Sequence, residues 1–150
     1  MSDVKETLLE EILEKMAAHG TSFPDEFFAD VLERLESFGY TLKEEDSWEI
    51  CFCSIKIENH IKNSCNIDAV PEGLYEIAID RICGEFFCDR KNSGQLTLGD
   101  LDLSGAITSI TEGDTTVSFG SSDEETLSAF IERLLTEGEG DLICYRKLKW

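Results

Sequence analysis

Apolar residues return every three or four positions through most of this chain, and one stretch past residue 105 switches to alternation. Val4, Leu8, Leu9, Ile12, Leu13 and Met16, with Glu and Lys between them, predict a helix over residues 3–18 that Gly20 stops. A second helix starts near Pro24, with Asp25 and Glu26 suited to the positive helix end. Its stripe is Phe27, Phe28, Val31, Leu32, Leu35 and Phe38, and Gly39 ends it. Residues 12–20 resemble residues 31–39, which one small duplication or the shared grammar of two amphipathic helices explains equally.

A third helix is expected over residues 44–64, capped by Asp46 or Ser47. Trp48, Cys51, Phe52, Ile55, Asn59 and Lys62 trace one row, with Cys51 and Ile55 expected to make the core contact. Ile50, Ile57 and Ile61 widen the apolar surface, so this helix is expected to pack on two sides. Asn63, Asn66 and Asp68 mark a loop, and Pro71 opens a fourth helix that runs to about residue 89. Leu74, Tyr75, Ile77, Ala78, Ile82, Phe86 and Phe87 are its core positions. Gly84 inside it costs about 1 kcal/mol relative to Ala, which a close helix–helix approach explains.

Asn92-Ser93-Gly94 ends the helical run, and residues 96–104 read as irregular. Ile107, Ser109 and Thr111 then alternate with Thr108 and Ile110, Glu112-Gly113-Asp114 turns the chain, and residues 115–119 alternate again. That is a hairpin signature over about residues 106–119, and a lone hairpin has to lean on helices or on another chain. A fifth helix starts at Ser121, Ser122 or Asp123 and runs to residue 135, with Leu127, Phe130, Ile131, Leu134 and Leu135 inward. Gly138 and Gly140 break it, and a last turn over residues 142–148 leads to Trp150. The expected fold is mainly α: one domain over residues 1–150, a small bundle of about five helices with an inserted β-hairpin.

Charge narrows the function classes. Thirty-two acidic residues against 13 basic ones give a net charge of −19, a field that repels nucleic-acid phosphate and anionic lipid. Specific nucleic-acid binding and membrane binding are therefore not expected, and basic protein surfaces are favoured. Solubility alone is the plainer use of the same charge. The N-terminus is charged throughout and no apolar stretch reaches membrane-spanning length, so a soluble cytoplasmic chain is expected.

Candidate chemistry is sparse. Six cysteines lack any Cys-x-x-Cys pair. Cys51, Cys53 and Cys65 with His60 are a conceivable zinc set, but two residues two apart on a helix face differently, and buried apolar thiols explain the same residues. Hydrolase, metalloprotease and nucleotide-loop motifs are missing, and His19 and His60 read as surface or packing residues. No residue is assigned to catalysis, to a cofactor or to a metal. Residues 100–107 imitate the start of a calcium loop, but position twelve is Thr111 and the flanks read as loop and strand; an ordinary turn explains Asp100, Asp102 and Ser104 as well. The tail Tyr145-Arg146-Lys147-Leu148-Lys149-Trp150 packs three cations and two aromatics into six residues, either an interface or a basic helix end.

Taken in order, Ile55-Lys56-Ile57-Glu58-Asn59-His60-Ile61-Lys62-Asn63, Val70-Pro71-Glu72-Gly73-Leu74, Ser93-Gly94-Gln95-Leu96, Ile110-Thr111-Glu112-Gly113-Asp114-Thr115 and the tail from Tyr145 resemble the head–tail connector proteins of tailed phages. The resemblance covers residues 44–150 and leaves residues 1–43 as an N-terminal helical extension. It implies a small helical fold with an inserted loop or hairpin, no enzyme activity and no cofactor. It further implies a closed ring of about a dozen copies beneath the phage portal protein, joined to a tail-side adaptor at the head–tail junction of the virion after assembly in the bacterial cytoplasm. The candidate contacts with a neighbouring subunit or the portal are Ile110, Glu112, Gly113, Asp114 and Thr115 of the hairpin, whose edge can extend a neighbour's sheet, and Tyr145, Arg146, Lys147 and Trp150 of the tail. The competing expectation is a monomeric acidic decoy that imitates DNA charge and occupies a basic site on a host protein.

Overall fold

The computed structural model describes residues 2–102 and 122–145. Helix α1 spans Ser2–His19 and α2 spans Asp25–Ser37. Leu8, Ile12 and Met16 fall one turn apart on α1, and all three are buried, as are Phe27, Phe28, Val31, Leu32 and Leu35 of α2. Gly39 follows α2 at φ +86°, a left-handed position where a side chain is strained and would strike the backbone at Asp102.

A 3-10 turn at Glu44–Asp46 leads into α3, Ser47–Cys65, which Asn66 closes in the left-handed region at φ +56°. A second 3-10 turn, Glu72–Leu74, follows Pro71 and feeds α4, Tyr75–Asn92. A third, Leu98–Asp100, lies in the stretch expected to be irregular. Helix α5 spans Asp123–Leu135, and the Ser122 hydroxyl caps it by accepting from the Glu125 N–H at 3.2 Å. Helix α6 spans Glu139–Tyr145, starting three residues before the expected last turn.

Helix α4 is central, with α2, α3 and α5 packed against it; α1 lies on α2 and α3, and α6 on α3. One continuous core runs from Leu8 to Leu142. Aromatic rings knit its layers: Phe38 of the loop after α2 meets Phe87 of α4 and Phe130 of α5, with centroids 6.0 and 5.0 Å away. Helices α1 and α2, the segment that the family resemblance sets apart as an extension, feed the same core as α3 to α5. Gly84 has the close approach expected of it, since a Cβ there would lie 2.9 Å from the Leu134 Cβ and 3.2 Å from Leu135.

The mainly α class holds, and among the described residues there is no strand. The hairpin expected at residues 106–119 falls outside the described residues. Helix α3 packs on two sides as expected, against α1 and α4, with Ile50, Ile57 and Ile61 buried. Ile50, Cys53, Ser54, Ile57, Glu58, Ile61 and Cys65 are buried, as is Cys51 of the expected core contact; Ile55 is half-buried against the core, and Trp48 and Phe52 of the same row are exposed. Cys51 is buried, but against α1, with its thiol 3.9 Å from the Ile12 carbonyl. The polar residues of that row lie toward solvent, Asn59 exposed and Lys62 half-buried beside Glu58 at 3.4 Å. Among the described residues no helix is long and apolar enough to cross a membrane.

Candidate interaction surface

The contact residues expected from sequence, Ile110, Glu112, Gly113, Asp114, Thr115, Arg146, Lys147 and Trp150, lie outside the described residues; Tyr145 is described only as the last position of α6. The described surface has its own feature, at the start of α3. Trp48 and Phe52 stand one turn apart with rings nearly parallel, 3° between planes and 5.4 Å between centroids. Trp48 is 64% exposed and Phe52 47%.

The first turn of α3 is oriented by a buried pair. Asp46 is fully buried; its Oδ1 accepts from the Arg90 guanidinium at 2.6 Å, and its Oδ2 accepts from the Tyr40 hydroxyl at 2.8 Å and the Lys43 N–H at 3.0 Å. Burial pushes the Tyr40 phenol well above its usual range, and the neighbouring Asp46 charge adds to the rise. With Asp46 tied to α4, the helical period turns Ile50 and Cys53 inward and leaves Trp48 and Phe52 facing out.

On the inner flank of that turn, Glu49 and Cys53 of α3 meet Asp89 of α4. The Cys53 Sγ lies 3.7 Å from Glu49 Oε2 and 3.8 Å from Asp89 Oδ2. Burial raises the Glu49 carboxyl, and the neighbouring Asp89 raises it further. Burial likewise drives the Cys53 thiol far up, reinforced by Glu49, Asp89 and Glu85. Glu85 is in turn paired with Lys56 at 3.1 Å. Among the described residues this is the group whose metal-type ligand atoms converge, all within 4.8 Å, and its donor set suits zinc.

The zinc set weighed from sequence is not assembled. Cys51 points to α1, Cys65 donates to the Leu142 carbonyl at 3.3 Å, and His60 is exposed. Asp100 of the calcium-like run accepts from the Thr97 N–H at 2.8 Å and the Thr97 hydroxyl at 3.2 Å, as the turn reading requires; residues 103–107 of that run lie outside the described residues.

The far half of α3 is built differently. Glu58 is buried, yet accepts from the Thr21 hydroxyl at 2.7 Å, the Ser22 N–H at 2.7 Å and the Ser22 hydroxyl at 2.6 Å, with Lys62 at 3.4 Å. Burial pushes its carboxyl up, but the Ser22 and Thr21 hydrogen bonds outweigh it and leave the pKa lowered. Between α2 and α4 runs an acidic groove of about 560 Å³, lined by Asp30, Glu33, Glu76 and Asp80, with Arg34 held to Asp80 at 2.8 Å.

Sequence reasoning missed Trp48 and Phe52 as surface residues. The signal was present in the Asn59 and Lys62 that share their row. No family model, no curated protein and no solved structure matches this chain.

Proposed function

We propose that the protein is a non-catalytic assembly subunit, a head–tail connector that closes into a ring beneath a phage portal and joins it to the tail-side adaptor. The observation that carries the assembly reading is the exposed Trp48–Phe52 stack on an otherwise well-packed helical body. Large aromatics are the residues that anchor protein interfaces, and a rigid stacked pair loses little entropy on docking. The ordered motifs from Ile55 to Trp150 supply the connector identity. In that reading the hairpin of residues 106–119 and the cationic tail reach the neighbouring subunit and the portal. The net charge of −19 lets an assembled wall repel a passing duplex rather than trap it.

Co-sedimentation with the portal protein of the same genome, read by mass and negative-stain imaging, tests this. A stoichiometric ring below the portal is expected. A protein that stays monomeric at every concentration and salt, and ignores the portal, refutes it. The second reading, an acidic decoy for a basic host protein, is favoured by the groove of Asp30, Glu33, Glu76 and Asp80. Its signature is monomeric, salt-sensitive binding to a DNA-binding enzyme.

A further inference from the structure

Among the described residues, the large apolar side chains left exposed are Trp48 and Phe52, at the start of α3, and Ile143, on α6. They mark two ends of the molecule. Helix α6 lies at the far end of α3, where the Cys65 thiol donates to the Leu142 carbonyl at 3.3 Å. Along α3, Trp48 and Cys65 stand about 26 Å apart at a rise of about 1.5 Å per residue.

The surroundings of the aromatic stack set the chemistry of its partner. Glu44 and Glu45, in the 3-10 turn just before Trp48, are exposed, and Glu49 beside it is half-buried. Among the described ion pairs none includes these three acids. The nearby cations are engaged or outnumbered. Lys56 is held by Glu85 at 3.1 Å, Lys15 donates to the Ser47 hydroxyl at 3.1 Å, and Lys43 stands alone against Glu44, Glu45 and Glu49. Aromatic faces with an acidic border attract cations twice, through the ring quadrupole and through the carboxylates. The residues after Tyr145 have the complementary composition: Arg146, Lys147 and Lys149, with Leu148 and Trp150 and no acid.

We propose that the Trp48–Phe52 surface receives residues 146–150 of a neighbouring copy, with their cations set against the rings and the Glu44 and Glu45 carboxylates. This rests on the assembly reading above and names the partner of that surface. Reach decides for a second copy. The last turn of α6 beyond Leu142 advances about 5 Å, and five fully extended residues span at most about 18 Å. Laid end to end along α3, these fall short of the chain's own Trp48. Donor and acceptor surfaces therefore lie toward opposite ends of one subunit, and such a heterologous contact repeats from copy to copy until its rotation closes a ring.

The test mixes two full-length variants, each lacking one side of the contact. One carries Trp48→Ser and Phe52→Ser; the other carries Arg146→Ser, Lys147→Ser, Lys149→Ser and Trp150→Ser. Each alone is expected to stay monomeric in analytical ultracentrifugation. Their mixture is expected to form a dimer and stop there, because one intact tail meets one intact stack. Glu44→Lys with Glu45→Lys in the stack-bearing copy should weaken that dimer about tenfold, and both positions are exposed, so the effect is read on a folded subunit. The proposal is overturned if the mixture stays monomeric, if either variant assembles alone, or if the dimer is indifferent to Glu44→Lys with Glu45→Lys. The connector reading is judged separately, by the unmodified protein on the portal. A mixed dimer with no portal ring ends that reading and keeps this contact; a portal ring with no mixed dimer does the reverse.

Discussion

The two halves of α3 bury acids in opposite ways. At the C-terminal half, Glu58 is enclosed by three donors from the α1–α2 loop and by Lys62, and its pKa falls below the usual carboxylate range. At the N-terminal half, Glu49 faces Asp89 across the Cys53 thiol, and its pKa rises. One half is locked to the fold with its polar groups matched. The other tolerates crowded acids and displays two aromatic rings to solvent. Folding explains the first arrangement and gives no reason for the second, which is why the surface around Trp48 is the place to look for a partner.

The largest expected effect breaks the matched half. Glu58→Ala leaves the Ser22 N–H, two hydroxyls and Lys62 facing a buried gap, and should cost about 3 kcal/mol or more in denaturant unfolding. Its pH dependence has a definite sign. A carboxyl whose folded pKa is lowered contributes stability that is complete above the unfolded value, about 4.3, and is lost as pH falls through the folded one. Glu58→Gln should therefore lower stability at neutral pH and flatten the acid limb, so that the two curves converge as pH falls. An unaltered acid limb would show that Glu58 is not held as an anion.

How much of this was legible in the sequence differs along the chain for physical reasons. Helices α1, α2 and α5 could be read almost to the residue, because each has a single apolar stripe with polar residues behind it. Gly84 was readable as a close approach, since a helix gives up stability to hold it. Helix α3 misled, because apolar residues surround it and periodicity alone cannot rank two stripes. The pairs Asp46–Arg90 and Glu58–Ser22 join residues 44 and 36 positions apart, which no local pattern announces. The assembly motifs at residues 110–115 and 146–150 lie outside the described residues, so the surface proposed for contact rests on α3 instead.

A smaller effect of opposite sign should appear at the crowded half. A carboxyl whose folded pKa is raised costs stability as pH climbs from the unfolded value through the folded one, and the full cost stands above the folded value. Asp89→Asn removes one charge and supplies an amide donor to Glu49, so it should raise the melting temperature by about 2–4 °C at pH 7. That gain should shrink as pH falls through the raised Glu49 value, because the Glu49 charge is then lost. If Asp89→Asn instead destabilises at neutral pH, the Asp89 carboxylate contributes more to the fold than its repulsion with Glu49 costs. Added zinc distinguishes that case, because a metal that binds only the folded protein raises its melting temperature, and does so less in the Asn variant.

The smallest effect on stability should come from the aromatic pair, and there the comparison is sharpest. Trp48→Ser with Phe52→Ser removes two rings that are about half exposed or more, so unfolding free energy should change by no more than about 0.5 kcal/mol per site. A lone surface stack kept for folding would leave assembly intact when removed. A stack kept for docking would leave the fold intact and abolish ring formation or portal binding in co-sedimentation. The paired control is Glu58→Gln, which perturbs the fold at the other end of the same helix and should leave assembly unchanged at temperatures where it is folded. If the aromatic variant assembles normally while the Glu58 variant does not, the roles given to the two halves of α3 are reversed, and the contact surface lies near the α1–α2 loop.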